Sequence, residues 1–289
     1  QDSVTAPVKF LCILFAMLAM CYAGPRTARA DTGDRVARVT LSLRQATLIQ
    51  SMSAAACFAM GGIDPGRLGA QAMEHADTYS TTLTALRDGH EWMGLESTQE
   101  PRDLTAIAVS AAEWRGYRPA IDQIIAGDLH SVVMRQIIRD TGPTVAAANH
   151  LSSHFLHTLE LPGAATELRA AAQLAAHSRM LTQRALVEMC FVLFDIGGAG
   201  MRARLVGTMD EITDSFARLG AGDPQIAEPP TARVSRNLRT AQLFWSKMAP
   251  TINATTSDTP PDALAVQKML KLNRSVLKQL DQAVAGYVS

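Results

Sequence analysis

Gln50-Ser51-Met52-Ser53-Ala54-Ala55-Ala56-Cys57-Phe58 and Gln183-Arg184-Ala185-Leu186-Val187-Glu188-Met189-Cys190-Phe191 both open on Gln and close on Cys-Phe, and they lie 133 residues apart. The same offset carries Ala72, Ala76, Tyr79, Leu83 and Leu86 onto Leu205, Met209, Ile212, Phe216 and Leu219. Those positions are spaced 4, 3, 4 and 3 apart, the register of the apolar face of a helix. Further along, Trp114, Pro119 and Ile121 recur as Trp245, Pro250 and Ile252 at an offset of 131. The small drop falls between helices, where insertions and deletions are tolerated. Agreement at so many positions predicts an internal duplication.

Working outward from these stretches, each copy reads as four helices. The first set is expected at 33–61, 66–88, 102–126 and 129–159, and the second at 164–195, 199–220, 232–252 and 261–287. Breaks are marked by Gly61-Gly62 with Pro65, by Gly89, by Gly127-Asp128 and by Gly197-Gly198. Two proline-bearing stretches, 224–230 and 253–261, separate the later helices, and Leu161-Pro162-Gly163 joins the copies. Pro119 and Pro250, and with them Pro143, are expected to kink or interrupt their helices. No alternating strand pattern appears. The expected fold is all-α: two tandem up-and-down four-helix bundles, at 31–160 and 163–289.

Composition agrees. The 289 residues are 47% hydrophobic but only 5% aromatic, a mixture that favours helices over sheets. The formal charge is zero, which gives no electrostatic ground for nucleic acid as a partner. Residues 10–23 form an apolar run behind Lys9, and Ala28-Arg29-Ala30 offers a cleavage signature ahead of Asp31. Residues 1–30 therefore read as a secretory signal peptide, too short in its apolar part to span a bilayer. Its loss removes Lys9, Arg26, Arg29 and Asp2, leaving 24 basic and 26 acidic residues and only two cysteines, Cys57 and Cys190. No later stretch is apolar enough to span a membrane, so a soluble periplasmic protein is expected.

The first helix of the second copy contains Ser178-Arg179-Met180-Leu181-Thr182-Gln183-Arg184. This resembles the R-M-L-[ST]-Q-R signature of the N-terminal sensor domain of type IV pili methyl-accepting chemotaxis transducers, the PilJ-like domain. It is also similar to the first-helix segment of nitrate/nitrite sensor histidine kinases. The first copy has Arg44-Gln45-Ala46-Thr47-Leu48-Ile49-Gln50-Ser51 at the matching place, keeping the Arg-Gln lead-in and the later Gln but with Ala46 where the signature arginine belongs. The resemblance implies an extracytoplasmic four-helix sensor module. In the nitrate sensors the first-helix arginine meets its symmetry mate at a dimer interface and binds the anion there. That role falls on Arg179 in the second copy and on no residue of the first. Neither a membrane helix nor a signalling domain follows the repeats in this sequence, so transduction is expected to need a membrane sensor or transducer as partner.

The residues support the same site independently. Arg179, Gln183, Leu186 and Cys190 share one helix face. A buried arginine is uncommon unless paired, and its planar fork suits a planar oxyanion such as nitrate or nitrite. Arg184 and His177, on a neighbouring face, add positive charge, while Arg44 and Gln50 are the candidates contributed by the first copy. The alternative is that Arg179 pairs with a carboxylate such as Glu188 or Asp210, or lies on the surface.

His150, His154 and His157 form a stripe on one helix, a spacing that can chelate a metal. A partly exposed polar stripe is the plainer reading. Cys57 and Cys190 read as buried thiols filling corresponding niches; a disulfide would form if the copies pack with pseudo-two-fold symmetry in an oxidising compartment. Trp114 and Trp245 read as core anchors. No nucleophile elbow, zinc-protease helix, phosphate loop or dinucleotide fingerprint occurs, no cofactor is implied, and a binding protein rather than an enzyme is expected. The rival expectation is a ligand-free helical scaffold docking on a membrane partner.

Overall fold

The computed structural model describes the backbone of residues 7–128, 131–159, 165–198 and 200–288, and the side chains of 32–128, 132–159, 166–198 and 200–288. Eight α-helices follow one another among the described residues: α1 Pro7–Met60, α2 Pro65–Asp88, α3 Pro101–Ile125, α4 Ser131–Thr158, α5 Ala165–Leu193, α6 Gly200–Ala221, α7 Ala232–Ala254 and α8 Ala263–Val288. No strand occurs among those residues, only the isolated bridges His90–Leu95 and Asp223–Ile226. The expected all-α class is what the chain adopts. The signal-peptide reading of residues 1–30 lies outside the residues whose side chains are described. Among the described residues no helix is long and apolar enough to cross a membrane.

Helix ends follow local chemistry. Pro65 and Pro101 start α2 and α3, where a missing N–H is not needed. Thr231 caps α7 by accepting from the Val234 amide at 3.2 Å. Gly89 stops α2 at φ +83°, and a Cβ there would strike the backbone of Glu96 and Ser97. The expected interruptions at Pro119, Pro143 and Pro250 do not occur: α3, α4 and α7 continue through them as helix. All three prolines lie on exposed positions, so the carbonyls they leave unbonded face solvent rather than core.

Two sets of helices pack in the same pattern. In the first, α1 packs on α2 and α4, and α3 on α2 and α4; in the second, α5 packs on α6 and α8, and α7 on α6 and α8. Burial repeats at the offsets of the sequence. Tyr79 and Ile212, Leu86 and Leu219, Trp114 and Trp245, and Ile121 and Ile252 are all buried. Trp114 anchors its set by stacking near Tyr79 at 4.4 Å and donating its indole N–H to Ser80.

The sets meet where α1 and α5 run side by side in the same direction. Ala54, Ala55, Ala56 and Ala59 of α1, and Ala172, Ala175, Ala176 and Ala185 of α5, are buried. Such small side chains let helix backbones approach closely. Near the far end, Gly61 leaves room for the ring of Phe194, which a Cβ there would overlap. Between these points Cys57 and Cys190 form a disulfide, with their Cα atoms 6.2 Å apart. This corrects the reading of them as two free core thiols. Both are fully buried as expected, but equivalent faces of α1 and α5 confront each other, which brings equivalent cysteines into bonding reach.

A crosslink closing a loop of 133 residues restricts the unfolded chain strongly, by roughly 4–5 kcal/mol on the loop-entropy model. Non-reducing peptide mapping should recover Cys57 and Cys190 in one linked pair of peptides. The Cys57→Ala/Cys190→Ala variant should lose about 2–4 kcal/mol in urea unfolding, and reduction of the wild type should lower its midpoint similarly.

Candidate functional site

Arg179 sits midway along α5 with its side chain turned toward α1, and it is only 2% exposed. Nε donates to the Thr47 hydroxyl at 3.1 Å, and Nη2 donates to the Leu43 carbonyl at 2.6 Å. Nη1 donates to a carboxylate oxygen of Asp281, a residue of α8. The guanidinium thus joins α1, α5 and α8. Burial pushes its pKa below the usual range, while the adjacent Asp281 opposes that shift; arginine stays cationic under any ordinary condition. Asp281 is about a third exposed, and its second oxygen lies 3.9 Å from Arg44, a half-exposed residue of α1. Two arginines from different helices therefore flank one carboxylate. Of the alternatives open from the sequence, the carboxylate partner is realised, but by Asp281 and not by Glu188 or Asp210.

Gln183, one turn further along α5, is buried and belongs to a polar seam. It accepts from Ser51 of α1 at 2.9 Å and donates to Asn273 of α8 at 2.8 Å. Gln50 is buried at the equivalent place on α1. Arg184 faces away and donates to Glu188 at 2.8 Å, leaving Glu188 Oε2 buried without a partner. His177 is half-exposed and pairs with Glu211 of α6 at 2.8 Å. Of the six residues nominated from sequence, then, Arg179 and Arg44 converge on Asp281, Gln183 lies one turn along the same interface, Gln50 is buried on α1 away from that carboxylate, and Arg184 and His177 pair elsewhere.

The first set buries a hydroxyl cluster of its own. Ser53 lies 2.7 Å from the Tyr117 hydroxyl and 2.8 Å from Thr141, and burial pushes the Tyr117 phenol up to about 12. His150 and His157 are exposed, and His154 Nε2 lies 2.6 Å from Asp103 of α3. Among the described residues no group of three or more His, Cys, Asp or Glu is placed to hold a metal ion.

Sequence reasoning missed Asp281 and Asn273. Asn273, Val276, Leu280 and Val284 form the buried stripe of α8, and Asp281 adjoins it. An acidic residue beside an apolar stripe was the available signal for a buried cation opposite. A second buried arginine also went unremarked: Arg38 donates to Leu86 O, to Thr98 Oγ1 and to Glu96 O, clamping the loop after α2.

No known family model matches the chain, and a search of curated proteins finds no significant match to it.

Two outcomes follow from the electrostatics. Asp281→Ala should strand the Arg179 cation and cost about 2 kcal/mol in urea unfolding. That is less than the roughly 3–5 kcal/mol of a fully enclosed pair, because water reaches Asp281. His75 on α2 is lowered from 6.5 to about 4, mainly by burial, with Glu74 opposing and Arg44 assisting, and its Nδ1 is buried without a partner. Between pH 6.5 and about 4 the folded protein binds fewer protons at His75 than the unfolded chain. Its contribution is therefore complete above pH 6.5 and is lost as pH falls toward 4. Stability measured across that window should fall less steeply in His75→Gln than in wild type.

Proposed function

We propose that this chain is an exported sensor-type ligand-binding protein of the PilJ-like kind, built by internal duplication as two tandem four-helix bundles at 31–160 and 163–289. It binds a small oxyanion, nitrate- or nitrite-like, at the seam between its two first helices, and signals through a membrane partner. The observation that carries this is Arg179, a buried guanidinium aimed across the α1–α5 interface. The duplication supplies within one chain the two first helices that a dimer of sensors would supply from two. The repeated burial pattern and the matched packing of the two helix sets support that origin. The Cys57–Cys190 disulfide suits an oxidising compartment such as the periplasm.

Chemically, Asp281 stands where the oxyanion binds. Its carboxylate is planar, singly charged and flanked by Arg44 and Arg179. A trigonal anion displacing it meets the same two cations and the Thr47 hydroxyl, while Asp281 swings toward the solvent it already touches. Binding thereby releases α8 from α1 and α5, a local switch that a partner can read. The scaffold reading is favoured by the same carboxylate: with Asp281 in place the arginine is already neutralised, and the seam is self-bonded.

Calorimetry with nitrate, nitrite and chloride separates the two. The sensor reading expects saturable nitrate or nitrite binding, weakened about ten-fold or more by Arg179→Ala and only partly restored by Arg179→Lys, which offers a point charge instead of a fork. Arg44→Gln, on a half-exposed residue, checks the same site without risk to folding. Absence of binding at millimolar anion, together with the expected destabilisation of Asp281→Ala, assigns the seam to a scaffold.

A further inference from the structure

The charged cluster at α1, α5 and α8 has a counterpart in register whose lining holds no Asp, Glu, Lys or Arg. The offset of 133 relates Ala46 to Arg179, Arg44 to His177 and Leu43 to Ala176. In α4 and α8 the offset is 132, pairing the buried Thr141, Ala148 and Phe155 with the buried Asn273, Leu280 and Tyr287. That offset relates Asn149 to Asp281. Ala46, Asn149, Ala176 and His177 all line one cleft, of about 350 Å³, between α1, α4 and α5. Where one side of the seam holds an arginine side chain and a carboxylate, the other holds a methyl group, a carboxamide and a cavity.

We propose that this cleft binds a small neutral planar molecule: a urea or primary-amide head on a short apolar stem. Its size follows from what is missing, since the cleft takes the place of an alkyl stem and a planar three-nitrogen head. Its apolar floor, formed by Leu43, Ala46, Leu174 and Ile226, suits the stem. Its neutrality follows from the lining, which contains no Asp, Glu, Lys or Arg. A charged head desolvated there would lack a counterion. His177, the one ionisable group lining the cleft, is turned to Glu211.

A urea is the uncharged analogue of a guanidinium, and Asn149 is the uncharged analogue of Asp281. The head's N–H groups take the Ala176 carbonyl, as Nη2 of Arg179 takes the Leu43 carbonyl at 2.6 Å on the charged side. Asn149 both donates and accepts, which a carboxylate cannot. The site rests on the internal duplication and is independent of anion binding at Arg179.

The test uses the full chain with three probes of one shape, N-propylurea, propylguanidinium and butyrate, followed by saturation-transfer NMR and thermal shift. N-propylurea should bind saturably and at least about ten-fold tighter than either ion. Ala46→Arg, which refills the cleft, should abolish that binding. Asn149→Asp, on an exposed residue, should reverse the preference toward propylguanidinium. Without any ligand, Ala46→Arg/Asn149→Asp should be more stable than Ala46→Arg alone, because the pair of the other side is rebuilt. Tighter binding of butyrate or propylguanidinium to wild type overturns the proposal, as does binding of none of the three or unchanged binding in Ala46→Arg. A stabilising coupling between the two substitutions without probe binding removes the ligand but leaves the duplication standing; absence of that coupling removes the register on which both rest.

Discussion

Arg179 carries a positive charge into the interface between two long helices, and much of the surrounding structure answers the need to bond and neutralise it. A guanidinium removed from water costs several kcal/mol unless its donors are met and its charge opposed. Here the donors are met by a helix carbonyl and a hydroxyl of α1, and the charge by a carboxylate of α8. Two partners lie on α1 and one on α8, so α1, α5 and α8 have one relative placement in which all three bonds form at once. The neighbouring Ser51–Gln183–Asn273 seam imposes the same requirement one turn away. Apolar contacts alone tolerate slippage; directional bonds to a buried charge do not.

Close approach makes those bonds possible. Both helices bury several alanines, and the Cys57–Cys190 bridge and the Gly61–Phe194 contact hold the far end of their contact. Where bulk is wanted, in the middle of the first helix set, Tyr79, Trp114 and Tyr117 supply it as a contiguous group of tilted rings.

Asymmetry gives this arrangement its functional interest. Positions related by the sequence offsets carry different chemistry: Arg179 against Ala46, Asp281 against Asn149, Arg44 against His177. One side is closed and charged, the other open and neutral.

Apart from the start of α1, expected at 33 and found at Pro7, the sequence by itself determined the helices and their boundaries within a few residues, because periodic burial and Gly/Pro punctuation are local properties. It also determined which faces are buried, including the face shared by Arg179, Gln183, Leu186 and Cys190. Helix continuity at Pro119, Pro143 and Pro250 needed the structure, since a proline interrupts or not according to whether the carbonyls it frees reach water. The pairing of Cys57 with Cys190 needed it too: a shared offset says that two thiols occupy equivalent niches, not that those niches face each other. Asp281 lies 102 residues from Arg179, and nothing in either neighbourhood names the other. The cleft at Ala46 was invisible for the same reason, for an absent side chain becomes a cavity only when three helices close around it. Contacts between distant segments are fixed by packing geometry, which tertiary structure alone decides.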